Sequence, residues 1–162
     1  MPTVTEHPPV KPITKHEFKS PLDMLETVAE LKGITLAAPM AVTPPLDLKP
    51  LLGTWLNCDA NTRGIAKLDL TALGTALSIH VWGACTPTFC DWKVMPAKAF
   101  ADSVCTTSAV AFTALYKFSF VETTVIGRLQ FGALFVETFD HFIDGSGRED
   151  YNAVYIMENR KS

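Results

Sequence analysis

The chain has 162 residues, of which 48% are hydrophobic and 19% are charged, and its formal net charge is -3. A chain of this length buries roughly 70% of its unfolded surface in a single core, so one domain is expected to fold without a disulfide or a metal. The weak negative charge, with no cluster of Lys or Arg, argues against nucleic acid as a partner, and no apolar run approaches the roughly 18 residues of a membrane-spanning helix.

The first 50 residues are predicted to lie outside the main domain. Residues 1–20 contain four Pro and no apolar period, which predicts a flexible arm. They lack a basic start and an apolar stretch, so no secretory signal is expected and the predicted location is cytoplasmic. In residues 21–50, Ser20 as N-cap and Pro21 at the first helical position predict a short amphipathic helix that ends at Gly33. The four Pro between residues 34 and 50 then predict a connecting strap.

From residue 51 onward the hydrophobic period changes to two, which is typical of strands. Short runs rich in Val, Ile, Thr, Phe and Trp alternate with turn residues, and we predict eight strands, at residues 51–57, 64–70, 76–84, 89–95, 109–120, 122–130, 133–143 and 151–158. The connections are too short for helical crossovers, so sequential antiparallel pairing is expected. The predicted fold is all-β: an eight-stranded antiparallel up-and-down barrel over residues 51–158, with a short N-terminal helix and a tail at 159–162. A two-sheet sandwich is the alternative.

The four cysteines are expected to be free thiols if the protein is cytoplasmic. Cys85 and Cys90 lie where the third and fourth strands meet, so a disulfide that closes the turn is an alternative. Half of a metal site with His80 is a weaker one, because zinc sites usually pair cysteines two residues apart. No nucleotide-binding or serine-hydrolase motif is present, so no cofactor and no metal are predicted.

The first predicted strand, Gly53-Thr54-Trp55-Leu56-Asn57, places Trp55 and Asn57 on one face. Its Gly-x-Trp motif, preceded by a short Asp-Leu-Lys-Pro turn, resembles the first strand of the calycins, the superfamily of lipocalins and avidins. In avidin-type proteins the Trp closes one end of the barrel and the Asn points into the ligand site. The resemblance therefore implies that Trp55 is a floor residue and that Asn57 bonds to a ligand. The chain lacks the repeated Trp positions of true avidins, so biotin binding is not implied.

A longer part of the chain, roughly residues 52–155, also resembles a group of small uncharacterised proteins. The shared runs are Asn-x-Asp-x-Asn-Thr-Arg-Gly-Ile at 57–65, Trp-Gly-Ala-Cys-x-Pro-Thr-x-Cys-Asp-Trp at 82–92, and Glu-Thr-Phe-x-His-Phe-x-Asp-Gly-Ser-Gly-Arg at 137–148. This second resemblance is more specific than the Gly-x-Trp motif, but it implies no activity.

The alternation along two further strands supplies the remaining candidate site residues. If Trp55 and Asn57 face the lumen, side chains on the third and seventh strands are candidates to join them there. The candidate ligand-binding residues are Trp55, Asn57, His80, Trp82, Phe135 and Phe139, and the candidate acid and base of an enzyme are Glu137 and His141. The alternative is that the charged members face solvent, as charged groups mostly do.

These features favour a binding protein that holds one small, largely apolar molecule in the barrel lumen. The alternative is a cofactor-free cyclase or isomerase that uses the same cavity, with Glu137 and His141 handling protons. A third possibility is a structural subunit with a filled lumen, because several strands are apolar on both faces and their outer wall needs a cover. The N-terminal helix, the strap, or a second copy in a homodimer are the predicted covers.

Overall fold

The computed structural model describes residues 44–160. Eight strands follow one another: β1 (Gly53–Asn57), β2 (Ile65–Leu73), β3 (Ala76–Gly83), β4 (Cys90–Ala101), β5 (Ala109–Lys117), β6 (Val121–Gln130), β7 (Ala133–Phe142) and β8 (Tyr151–Asn159). The predicted arm, the helix and most of the strap lie outside the described residues.

The strands form a closed barrel in sequence order, in which each strand pairs antiparallel with the next and β8 pairs with β1. The prediction of an all-β, eight-stranded antiparallel up-and-down barrel is therefore confirmed. Closure pairs every strand with two neighbours, which removes the two free edge strands that an open sheet would expose to edge-to-edge association. Within the described residues, no helix is long and apolar enough to cross a membrane.

Alternate side chains of every strand fill the inside of the barrel. The buried residues include Leu68 and Leu70 of β2, Ile79 and Val81 of β3, Phe112 and Tyr116 of β5, Val125 of β6, Val136 of β7 and Met157 of β8. Phe112 packs directly on the backbone of Gly127 in β6, where a Cβ atom would lie 2.1 Å from the ring. An eight-stranded barrel has an interior about wide enough for such side chains, so most of the lumen is packed core rather than cavity.

The barrel is closed at the end where β1 begins. Leu48 and Leu51 are buried there, and the indole nitrogen of Trp55 donates a hydrogen bond to the Leu51 carbonyl oxygen at 2.9 Å. Asp47 holds this segment in place, because its backbone bonds to Thr107 and Ala109 in the connection into β5. We call this end the floor and the opposite end, where β1 finishes, the mouth.

Strand β4 is longer than predicted, because it continues through Pro96 to residue 101. Residues 90–96 pair with β3 but not with β5, whose described pairing with β4 begins at Ala97. Pro96 therefore needs no backbone donor toward β5, which explains why proline is tolerated inside this strand. A β-bulge with Lys93 at a φ of 73° lies in the same stretch, and the β4–β5 ladder is consequently open toward the mouth.

Candidate functional site

A cavity of about 450 Å³ opens at the mouth of the barrel, above the packed core. We call it the mouth cavity. Its walls come from the ends of β4 to β8 and from the loops around them, and the lining includes Arg63, Gly64, Cys85, Cys90, Asp91, Trp92, Phe118, Phe120, Val121, Thr123, Thr138, Asp140, Phe142, Arg148, Tyr151 and Tyr155. Its volume lies in the range of small-molecule sites, which is roughly 300 to 1,000 Å³.

One side of the mouth cavity is aromatic and lies where the β4–β5 ladder is open. Trp92 packs edge-on against Tyr116 and Phe118, with ring centroids 5.5 Å apart in both pairs. The Tyr116 hydroxyl lies 3.1 Å from the carbonyl oxygens of Ile79 and Lys93, so it bridges β3 and the bulge of β4. Side-chain contacts thus connect β4 to β5 where backbone pairing stops, and the packed rings form a stiff apolar wall.

The opposite side is polar and is centred on Asp140 near the end of β7. One Asp140 carboxylate oxygen accepts a hydrogen bond from the Thr123 hydroxyl at 2.5 Å, and the other accepts one from the Thr138 hydroxyl at 3.2 Å. Tyr151 and Tyr155 of β8 stand beside it. Burial, together with the negative charge of Asp140, raises the pKa of both phenols. Both tyrosines therefore stay protonated near neutral pH and keep a hydroxyl donor at the site.

Arg148 reaches the mouth from the loop between β7 and β8. Its guanidinium carbon lies 4.0 Å from the centroid of the Phe142 ring and 5.5 Å from that of Phe120. Asp144 accepts a hydrogen bond from this guanidinium at 2.6 Å, and Ser146 accepts another at 2.8 Å. The Asp-Gly-Ser-Gly-Arg run is therefore a turn that fixes one cation over the aromatic rings.

A disulfide between Cys85 and Cys90 forms part of the rim of the mouth cavity. The expectation of free thiols is therefore wrong for this pair, and the alternative of a bond that closes the turn is confirmed. Cys58 and Cys105 are free and exposed.

Trp55 lies in the core and Asn57 borders the groove between the 58–64 loop and β8, so neither lines the mouth cavity. The Trp55 ring points to the floor, where the core covers it. The Asn57 side chain donates to the Ile65 carbonyl oxygen at 2.7 Å and accepts from the Asp59 amide at 2.8 Å, so it shapes the loop between β1 and β2. Neither side chain is therefore placed to contact a ligand in the mouth cavity.

His80 and Trp82 lie on the outer wall, because Leu77, Ile79 and Val81 of the same strand occupy the inner face. The two rings stack with centroids 3.7 Å apart, and His80 shares a 2.6 Å hydrogen bond with Asp91. The prediction that these two residues line the lumen is wrong.

The predicted face of β7 is likewise the outer one, since Leu134, Val136 and Thr138 are the buried members of that strand. Phe135 and Phe139 contribute to the outer wall, Glu137 accepts a hydrogen bond from Asn152 at 3.0 Å, and His141 bonds to Asp150 at 2.6 Å. Placement of these four residues in the lumen was wrong. The homodimer through this wall stays a prediction.

Apart from Cys85 and Cys90, the residues that line the mouth cavity were not among the candidates chosen from the sequence. Asp140 and Thr138 sit between the residues chosen from β7. A one-residue change in strand parity exchanges the two faces. The signal that identifies Arg148 was present in the Asp-Gly-Ser-Gly-Arg run.

No family model, no curated protein and no solved structure matches this chain. The fold and site define a closed eight-stranded antiparallel barrel with a packed floor and a cavity at its mouth.

Proposed function

We propose that the protein binds one small molecule in the mouth cavity. The observation that carries this proposal is the division of the cavity into two sides, a stiff aromatic wall around Trp92 and Phe118 and a polar group around Asp140. Small-molecule sites have this composition, because apolar walls supply affinity and a few fixed polar groups supply orientation. The calycin resemblance agrees with ligand binding in an up-and-down barrel, although the present cavity is shallower than a full lumen.

The cyclase or isomerase alternative loses the two groups on which it depended. Glu137 and His141 lie on the outer wall, where Asn152 and Asp150 bind them. A group on the outer face of a barrel strand cannot exchange a proton with a molecule in the mouth cavity. We therefore propose binding alone.

The test uses 2-naphthalenemethanol, a neutral probe with a flat apolar body, titrated into the full chain by isothermal calorimetry and mapped by NMR amide and indole shifts. Val121→Phe enlarges a buried side chain that lines the cavity, and Ile126→Phe makes the same kind of change on the outer face of the same strand. We expect a loss of affinity of at least about fivefold for V121F and less than twofold for I126F.

The largest NMR shifts should fall on the Trp92 indole and on residues of β6 to β8 near the mouth. Shifts confined to the outer wall, or to the groove between the 58–64 loop and β8, would overturn the proposal. Equal affinity of V121F and the unmodified chain would overturn it as well.

A further inference from the structure

The charges around the mouth cavity are unevenly satisfied. Asp91 accepts hydrogen bonds from His80 at 2.6 Å and from Lys93 at 2.8 Å. Arg148 is paired with Asp144. Asp140, in contrast, forms no ion pair within residues 44–160, and its two protein donors are the neutral hydroxyls of threonines.

A carboxylate has about four acceptor sites, and the two threonines use two of them at Asp140. A half-buried carboxylate without a cationic partner keeps a strong demand for a charged donor, because burial weakens its hydration. Asp140 lies in the lining of the cavity itself. Water can reach its remaining acceptor sites, but a charged donor for them has to enter through the cavity, as a cationic ligand does.

The aromatic side of the cavity has the same electrostatic preference. The face of an aromatic ring is negative and attracts cations. Arg148 shows this preference within the protein, since its guanidinium lies over Phe142 and Phe120. Trp92 and Phe118 form the rest of the wall, and neither ring lies under a cation in the described residues.

We propose, on the basis of the binding function above, that the ligand is an organic amine whose ammonium group is bound by Asp140 and whose flat apolar body lies against Trp92 and Phe118. The ammonium completes the acceptor sites of the carboxylate, and the rings cover the adjacent apolar carbons. Two cationic side chains line the cavity as well. The charge of Arg148 is offset by Asp144, whereas Arg63 is exposed at the rim, forms no ion pair in residues 44–160 and favours a ligand of the opposite charge.

The experiment compares three probes with one naphthalene body: 2-naphthylmethylammonium, 2-naphthalenemethanol and 2-naphthoate. Calorimetric titrations use the full chain, Asp140→Asn and the control Glu149→Gln. Glu149 is exposed, follows Arg148 in the mouth loop, and forms no ion pair or side-chain hydrogen bond in the described residues. Removing its charge therefore measures the general effect of charge near the mouth.

We expect the ammonium probe to bind the unmodified chain at least tenfold more tightly than the carboxylate probe. We expect D140N to lose at least tenfold in ammonium affinity, with less than a threefold change for the alcohol, and E149Q to change no affinity more than threefold. Added salt should weaken ammonium binding and leave alcohol binding unchanged. The ranking of the probes on the unmodified chain tests the proposal even if D140N fails to fold.

Carboxylate binding as tight as ammonium binding, or ammonium binding that D140N leaves unchanged, would overturn the amine assignment while the alcohol still reports a working cavity. Failure of all three probes to bind in the cavity would instead overturn the binding function itself.

Discussion

Two glycines pack against aromatic side chains at nearly the same distance. Replacement by alanine should mainly lower stability at Gly127 and mainly lower ligand affinity at Gly64. A Cβ atom at Gly127 would lie 2.1 Å from the Phe112 ring, and one at Gly64 would lie 2.0 Å from the Tyr155 hydroxyl oxygen. Ordinary contact begins near 3.4 Å, so the rings must retreat by about 1.3 Å and 1.4 Å respectively. The outcome depends on the space that each ring has for that movement.

Phe112 is fully buried in the packed lumen and has no such space. We expect Gly127→Ala to lower the free energy of unfolding by about 2 to 3 kcal/mol, as overpacking of a core does. The melting temperature of a chain of this size should then fall by about 6 to 12 °C. Phe112→Leu provides a check, because in that background the same methyl group should cost less than about 1 kcal/mol.

Tyr155 is half-buried and borders the mouth cavity, so it can move into that cavity. We expect Gly64→Ala to cost less than about 1 kcal/mol of stability, while the affinity for 2-naphthalenemethanol falls about tenfold because the ring occupies ligand space. Urea unfolding and calorimetric titration of both variants measure the two quantities. Equal losses of stability in the two variants, or unchanged affinity in G64A, would refute the reasoning.

Three further predictions concern stability. Replacing Cys85 and Cys90 by Ser opens a loop with a sequence separation of 5, which should lower the free energy of unfolding by about 2 kcal/mol on the chain-entropy relation. A reductant should produce the same loss in the unmodified chain during urea unfolding. A stability that does not change with reductant would show that the disulfide is not formed. Tyr116→Phe removes the hydroxyl between two carbonyl oxygens and should cost about 1 to 2 kcal/mol in the same assay, whereas no loss would show that the hydroxyl bridges nothing. The hydrogen bond to Asp150 raises the pKa of His141 above 6.5. The stability that His141 adds relative to His141→Asn should therefore be complete at about pH 5.5, below the unfolded pKa, and should be lost as the pH rises through the raised pKa. A difference between the two chains that grows with pH would contradict this.

The number, order and pairing of the strands could be predicted from the sequence, because the hydrophobic period changes to two after residue 50 and the connections are short. Strand ends could be predicted less well. The sequence pattern ends β4 before Pro96, whereas the strand continues because residues 90–96 need a partner only on the β3 side. That freedom is a property of the assembled barrel, and no local pattern reports it.

The main failure was the choice of inner face on β3 and β7, because the candidate residues of both strands lie on the outer wall. Strand β7 is apolar on both faces: Leu134 and Val136 point inward, while Phe135 and Phe139 point outward. Hydrophobicity cannot choose between two such faces. The aromatic residues were misleading, because the larger side chains of this strand lie outside the barrel and the smaller aliphatic ones fill it.

Turn geometry explains why the inward and outward faces of one strand could be predicted from the preceding strand across some connections and not across others. The β6–β7 hairpin turns at Phe131 and Gly132, both with positive φ, as a two-residue type I′ turn requires. Such a turn fixes which residues face each other, so assigning Val125 to the inside also assigns Thr138. The longer loops, at residues 58–64 and 143–150, impose no such constraint.

Trp55, which a family resemblance placed inside the barrel, is on β1, and the loop at 58–64 separates it from every later strand in the chain. The inward position of Trp55 therefore could not be used to predict which face of β7 points inward. The register that connects them, through β8, pairs Trp55 with Asn159 and Val136 with Tyr155, and it exists only once the barrel closes. Asp140 is thus brought to the mouth cavity by closure, which is a long-range event, while the Arg148 turn beside it is encoded within five residues.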